Sequence, residues 1–474
     1  MDNDPKEHFD SHEFLVLVAH YEQVVSGNGS AYFETEEIDQ ILDYYISRCQ
    51  YMKALKGCDY AIEKFPFSYD FLSTKAEILI CLDQLEEAID LLKYQLSLGN
   101  ASSVVFCLFG DAYLSNESYK LALTYYKKAL DMSFCESERS EIYYDIAFVY
   151  QSMEQYSLSI KYLIKAIRAD YTYTDAINEL GVSIEITQEY EQGVQLFEEI
   201  INNNPYCDAA WYYLGLIYKS QDKFKEAANA IEYATIIDPK SDLAWSAYAD
   251  ILFELGQFQE ALDVYQKLEA EGDASDELYK RIGLCYYQME NIGKAKTYYN
   301  KGIKHCVAEE FTDELWYLLG EAFEAEDNYV SAKKCYATAL AKYDSEIYWA
   351  ALAFVEQELG NYDQALKYYS NSVEGDPYNE ALWEAYAHCM IEFGEIEKSI
   401  DLLESGLVIM PKSANLRYLL SGCMFKGGIS QQGNTELQKA LNMNYQEHQT
   451  MFEYFPELQG NKEIINLIEQ FKSK

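Results

Sequence analysis

The chain has 474 residues, 49% of them hydrophobic, and sets 37 Lys and Arg against 79 Asp and Glu for a formal charge of −42. Single cores stop growing near ~250 to 300 residues, which excludes one compact globule in favour of several domains or a stack of units packed only on their neighbours. So large a negative field repels phosphate and anionic headgroups, so neither nucleic acid nor membrane is an expected partner, whereas a basic protein or peptide is.

The amino terminus opens Met1-Asp2-Asn3-Asp4-Pro5, without the basic region of a secretory signal. The apolar run Phe14 to Ala19 falls far short of the ~20 residues a membrane helix needs. Residues 9 to 25 are expected as a soluble helix with that run on the core face, followed by a loop at Ser26-Gly27-Asn28-Gly29-Ser30.

From Thr35 one template repeats, and it is most complete from Asp208 to Ser241. Counting Asp208 as position one, Trp211 is fourth, Leu214 and Gly215 seventh and eighth, Tyr218 eleventh, Ala227 twentieth, Ala234 twenty-seventh and Pro239 thirty-second. It can be laid down twelve times, from Thr35, Tyr69, Ser103, Ser140, Thr174, Asp208, Asp242, Asp276, Asp313, Glu346, Glu380 and Ala414. Ten of these starts are Ser, Thr, Asp or Glu, residues that cap or charge a helix amino terminus. Position twenty is small in all twelve, from Ala54 to Gly433, and position eight is small in every repeat but the first, where it is Leu42. Gly within a helix costs about 1 kcal/mol against Ala, so its recurrence at position eight implies close helix packing. All five tryptophans, Trp211, Trp245, Trp316, Trp349 and Trp383, fall at position four, and five of the seven prolines fall at position thirty-two. These are read as core and punctuation. The phase slips at Ser137-Glu138-Arg139 and at Glu310-Phe311-Thr312, each a longer loop or helix end. After Leu441 the pattern fades, and Asn461 opens a last helix with Ile464, Leu467, Ile468 and Phe471 on one face.

By these positions the chain resembles the tetratricopeptide repeat family. The resemblance implies an all-α fold, a right-handed superhelical solenoid of antiparallel helix pairs. Residues 1–34 are then an amino-terminal capping helix and loop, 35–447 twelve repeats, and 448–474 a carboxyl-terminal cap. It also implies that first helices line the concave face, with positions two, five, nine, twelve and thirteen pointing into it. On that face the first three repeats carry Glu36, Asp39, Asp43, Asp70, Glu77 and Asp111, with no Lys or Arg. Repeats four to six are more apolar, with Tyr144, Phe148, Val182, Tyr212 and Leu216. Acid returns in Asp250, Glu254, Glu277, Glu314, Glu321, Glu324, Glu358, Glu384 and Glu392, interrupted by Lys219, Lys280 and Lys426. Such a groove suits a segment with Lys or Arg toward its ends and an apolar residue seated on Tyr144, Phe148 and Tyr212. The alternative is that these acids are merely solvated and the partner docks on the convex side or an edge. A clamp for a terminal carboxylate is not expected, because positions five and nine read Asp39 and Asp43, Ser73 and Glu77, Cys107 and Asp111.

Catalytic chemistry has little to start from. Among six histidines, His8 and His12 are one turn apart beside Glu13, but without the H-E-x-x-H arrangement of a metal site. No phosphate loop, dinucleotide fingerprint or nucleophile elbow is present, so no enzyme activity, metal or cofactor is expected. The eleven cysteines include no C-x-x-C pair and read as reduced, mostly buried thiols of a cytoplasmic protein. Tyrosine doublets such as Tyr298-Tyr299 place one ring in the core and the next nearer the surface. The expected role is a non-catalytic scaffold or adaptor that binds a partner segment in the concave groove. A peptide or small-molecule sensor relaying to a partner protein is the alternative, and self-association a third.

Overall fold

The computed structural model describes residues 12–26, 31–272, 274–306 and 312–472, and every regular element among them is a helix. The chain divides into two compact halves, Met1–Ala247 and Tyr248–Lys474. Within each half, successive helices are joined by two to four residues inside a repeat and pack on one another, which the short turns allow only in antiparallel fashion. The first helix begins at the expected residue in eleven repeats of twelve.

The exception is repeat four, whose first helix runs Glu136–Ser152 and takes up the slip at 137–139 as an extra amino-terminal turn. That turn is tied down by its own side chains. Glu138 accepts the hydroxyls of Ser103 and Ser133, and Arg139 donates to the carbonyls of Leu130 and Ser133. The second slip, at Glu310-Phe311, lies outside the described residues, as do His8, the expected helix start at 9–11 and the loop at 27–30.

The second helix opens at position seventeen of every repeat, from Tyr51 to Ser430. The chain reverses just before it through a residue at position fifteen with positive φ, in all twelve repeats. Four of these are Gly256, Gly360, Gly394 and Gly428; the other eight, Cys49 to Asp327, hold φ between 53° and 60°. The left-handed residue lets the position-sixteen amide bond back to the position-eleven carbonyl, as from Ser118 to Tyr113 and from Asn291 to Tyr286, each at 2.8 Å. Where a first helix has a side-chain cap, it comes from the residue before the start. Ser102, Ser275 and Ser413 accept the third amide of their helices, while Asp and Glu at position one sit in the first turn.

The small residues at positions eight and twenty are buried in every repeat, and so is Leu42. At Gly110, Gly283 and Gly320 a Cβ would collide with the ring of Tyr126, Tyr299 or Tyr336, the position-twenty-four residue of the same repeat. The position-four tryptophan latches one repeat to the one before. Trp211, Trp245 and Trp383 donate Nε1–H to the carbonyls of Pro205, Pro239 and Pro377 at 2.9 to 3.0 Å, and Trp349 donates to Asp344 at 2.7 Å. Arg417 makes the same bond to Pro411 with its guanidinium.

Both ends of the array are covered. The helix His12–Val25 buries Phe14, Val18 and Tyr21 against Ile38, Ile41 and Leu42. Leu15 and Val16 of its apolar run lie exposed, contrary to the expectation that the run faces the core, because six consecutive residues reach all round a helix. At the other end a helix Lys462–Phe471 buries Ile464 and Ile468 in the cluster that includes Leu437 and Leu441. Between them the sequence pattern shows nothing, yet a short helix Gln449–Tyr454 buries Met451, and the Phe455 ring sits directly on Gly422. Among the described residues no helix is long and apolar enough to cross a membrane. All eleven cysteines are free thiols, six of them buried.

Candidate protein-binding face

First helices of neighbouring repeats lie side by side within each half. Gln151 at position twelve of repeat four, for example, donates to Glu179 at 2.9 Å and Ser183 at 3.2 Å on repeat five. Positions five and nine of successive repeats therefore form rows across this face.

In the amino-terminal half the rows are acidic and then apolar. Asp39, Asp43 and Glu77 are exposed, and Asp111 is half-buried. Partial desolvation between the packed helices raises the pKa of each. For all but Asp43 neighbouring carboxylates raise it further: Asp43, Asp70 and Glu36 act on Asp39, Asp43 on Glu77, and Glu77 on Asp111. Asp111 reaches about 6 although it accepts the Tyr126 hydroxyl at 2.5 Å, a bond that favours its ionised form. The row ends on Asp145, pushed up to about 8 by burial first and then by Asp111 and Glu141. Asp145 lies at position six, off the positions expected to face the groove. The one signal of it is a charged residue inside the run Tyr143-Tyr144-Asp145-Ile146-Ala147. Among the described residues none of these five acids is in an ion pair. Beyond them come Phe148, Val182 and Ile186, 46%, 41% and 51% exposed. Tyr144 is half-buried with its ring 5.2 Å from that of Tyr173, and Tyr212 packs edge-on to Tyr213 beside the half-buried Leu216.

Several acids of the carboxyl-terminal half are served by their own chain. Asp250 accepts the Tyr265 hydroxyl at 2.5 Å and lies 3.6 Å from the Arg281 guanidinium. Lys280 bridges Glu277 and Glu314 at 2.7 and 2.9 Å. Glu324 accepts Tyr336 at 2.7 Å, and Gln357 donates to Glu392. Burial, and then Glu324 beside the one and Glu358 beside the other, holds Glu321 and Glu324 above the usual carboxylate range against bonds from Tyr317 and Tyr336. Glu384 is raised by burial and by Glu380. Glu254 and Glu358 are exposed, and Lys426 lies 3.4 Å from Glu457.

Known proteins resemble the chain over most of its length. Residues 104–134, 140–173 and 187–240 match tetratricopeptide repeats, and residues 238–453 match the C-terminal domain of cilia and flagella-associated protein 70. TPR repeat-containing protein MJ1428 of Methanocaldococcus jannaschii is 21% identical over 383 residues, 74% of this chain and 65% of its own length. Tetratricopeptide repeat protein 37 of Xenopus laevis is 24% identical over 400 residues, 78% of this chain and 25% of its own. The chain thus spans less than two thirds of either relative. Among solved structures, the APC/C hetero-tetramer Cut9–Hcn1 superposes with a TM-score of 0.41 at 14% identity, covering 89% of this chain and 95% of that one.

Proposed function

Because this chain is a tetratricopeptide repeat protein, a family whose repeats mediate contacts between proteins, we propose that it is a non-catalytic scaffold that holds a basic segment of a partner along the first helices of its amino-terminal half. The observation that carries this reading is the contrast between two acidic faces. In the carboxyl-terminal half Lys280, Arg281 and tyrosine hydroxyls already neutralise or engage Asp250, Glu277, Glu314 and Glu324. In the amino-terminal half Asp39, Asp43, Glu77, Asp111 and Asp145 have no basic partner among the described residues, and all but Asp43 are raised by neighbouring carboxylates, so a Lys or Arg laid along them relieves repulsion as well as gaining attraction. Phe148, Val182 and Tyr212 then offer a dry seat for an apolar residue that follows the basic stretch, the arrangement in which charge sets the rate of encounter and buried apolar contact the affinity.

The test is affinity capture from native lysate with wild type and a triple variant, Tyr144→Ala, Phe148→Ala and Tyr212→Ala, side by side. Proteins held by wild type and lost from the variant are the expected outcome, with elution by moderate salt. An identical captured set from both proteins would remove the face from consideration. Ionised carboxylates bind the cation, so complex formation is expected to expel protons between about pH 6 and 8, measurable as calorimetric heat that varies with the buffer's ionisation enthalpy.

A further inference from the structure

A second feature lies between first and second helices, on residues at none of the groove positions just described. In repeats three, four and eight a lysine at position twenty-six lies over a tyrosine at position twenty-three. Lys128 is 4.6 Å from the ring centroid of Tyr125, Lys165 4.5 Å from Tyr162 and Lys301 4.2 Å from Tyr298. Each of those rings stacks in turn on the tyrosine at position eleven, with centroids 5.3 to 5.6 Å apart. In repeat eight the preceding repeat supplies a carboxylate, and Glu269 meets the Lys301 ammonium at 3.0 Å. The fold therefore builds seats for an alkyl ammonium between aromatic faces, once with an acid at the rim, and fills each with its own lysine.

Repeat six keeps rings at positions four and eleven but lacks both the lysine and the position-twenty-three ring on which that lysine lies. Trp211 and Tyr218 stand at positions four and eleven, but position twenty-three is Ala230, so the central ring is missing. Position twenty-six is Tyr233, which stacks on Trp211 with centroids 4.6 Å apart in place of reaching over the slot as lysine does. What is left is an open cavity of about 410 Å³ walled by these rings and rimmed by Glu198 and Glu226. Tyr218 donates to Glu198 at 3.4 Å, and burial, Glu198 and Glu226 together raise its phenol, so both acids face one ring. Neither acid is in an ion pair among the described residues. Lys223, 5.8 Å from the Tyr218 centroid, donates to Gln221. The Trp211 bond to the Pro205 carbonyl fixes the back wall.

We propose that this cavity is a binding site for the ammonium group of a partner's lysine, seated among Trp211, Tyr218 and Tyr233 in the space that Ala230 leaves where repeats three, four and eight place a ring. Three rings supply the cation's face contacts, the apolar floor takes the aliphatic stem, and two carboxylates at the rim set the sign of the charge admitted. The site is independent of the acidic face, so loss of binding in the Tyr144, Phe148 and Tyr212 variant leaves it intact.

The full chain is titrated with Nα-acetyl-lysine methylamide while the indole N–H resonance of Trp211, assigned through Trp211→Phe, is followed by NMR. A saturable shift is expected with the lysine compound and none with its uncharged norleucine analogue. Ala230→Tyr installs the ring that three other repeats carry and should abolish the shift; Tyr233→Lys, which supplies the lysine from within, should do the same. Replacing Glu198 and Glu226 together by Gln should weaken binding about tenfold. Absence of a saturable shift, an equal response to norleucine, or survival of the shift in Ala230→Tyr or Tyr233→Lys would each overturn the assignment. A stronger response to the arginine analogue would overturn the choice of ammonium.

Discussion

Asp145 takes its character from residues that are distant in sequence. Its carboxyl group is held at about 8 because it is buried beside Asp111 of the preceding repeat and Glu141 one turn back. An unfolded Asp ionises near ~3.9, so between there and about 8 the folded chain keeps a proton that the unfolded chain has given up, and stability falls as pH rises through that window. Asp145→Asn removes the slope. Denaturant melts should show a gain on the order of 1–3 kcal/mol at pH 8 that vanishes near pH 4. Equal effects at both values would mean that Asp145 carries no excess proton. Gly320 poses the opposite test, since a methyl group there meets the Tyr336 ring in a closed interior. Gly320→Ala should cost about 1–3 kcal/mol, read as a lower thermal midpoint, although the change favours a helix in isolation.

The helix pairs were the most legible level of the sequence. Register followed from small residues at positions eight and twenty, because Gly, Ala or Ser lets two helix axes approach closely; at the one exception, Leu42, Gly57 makes the room. The extra turn at Glu136 was ambiguous, since the same three inserted residues serve a loop equally well until Glu138 finds Ser103 and Ser133. The segment 449–460 was illegible because its buried residues Met451, Phe455 and Leu458, the Phe455 ring seated on Gly422, are too few to establish a period. Phe455→Ala should therefore cost about 3–5 kcal/mol and loosen the carboxyl-terminal helices ahead of the rest, seen as faster amide exchange there. The acids of the candidate face could be named from sequence, but not which of them are already paired. That depends on whether Lys280 reaches Glu314 one repeat away. The empty seat in repeat six was present in the sequence as Ala230 and Tyr233, but it acquires meaning only once lysine is seen lying over tyrosine elsewhere.

A chain with a formal charge of −42 repels itself at every length scale that solvent does not screen. Raising ionic strength from ~20 mM to ~500 mM shortens the Debye length from about 20 Å to a few ångströms and should raise the thermal midpoint by several degrees. A midpoint that fell with salt would show that specific ion pairs such as Lys280 with Glu277 and Glu314 outweigh the general repulsion. The reversals between paired helices divide unevenly along the chain. All six below residue 247 place a residue other than glycine in the left-handed conformation, at a cost of about 1 kcal/mol each, while four of the six above it use glycine. Resistance to digestion should follow that divide. A protease added sparingly to the native protein should make its earliest cuts in the amino-terminal half and leave a carboxyl-terminal fragment to be recovered whole.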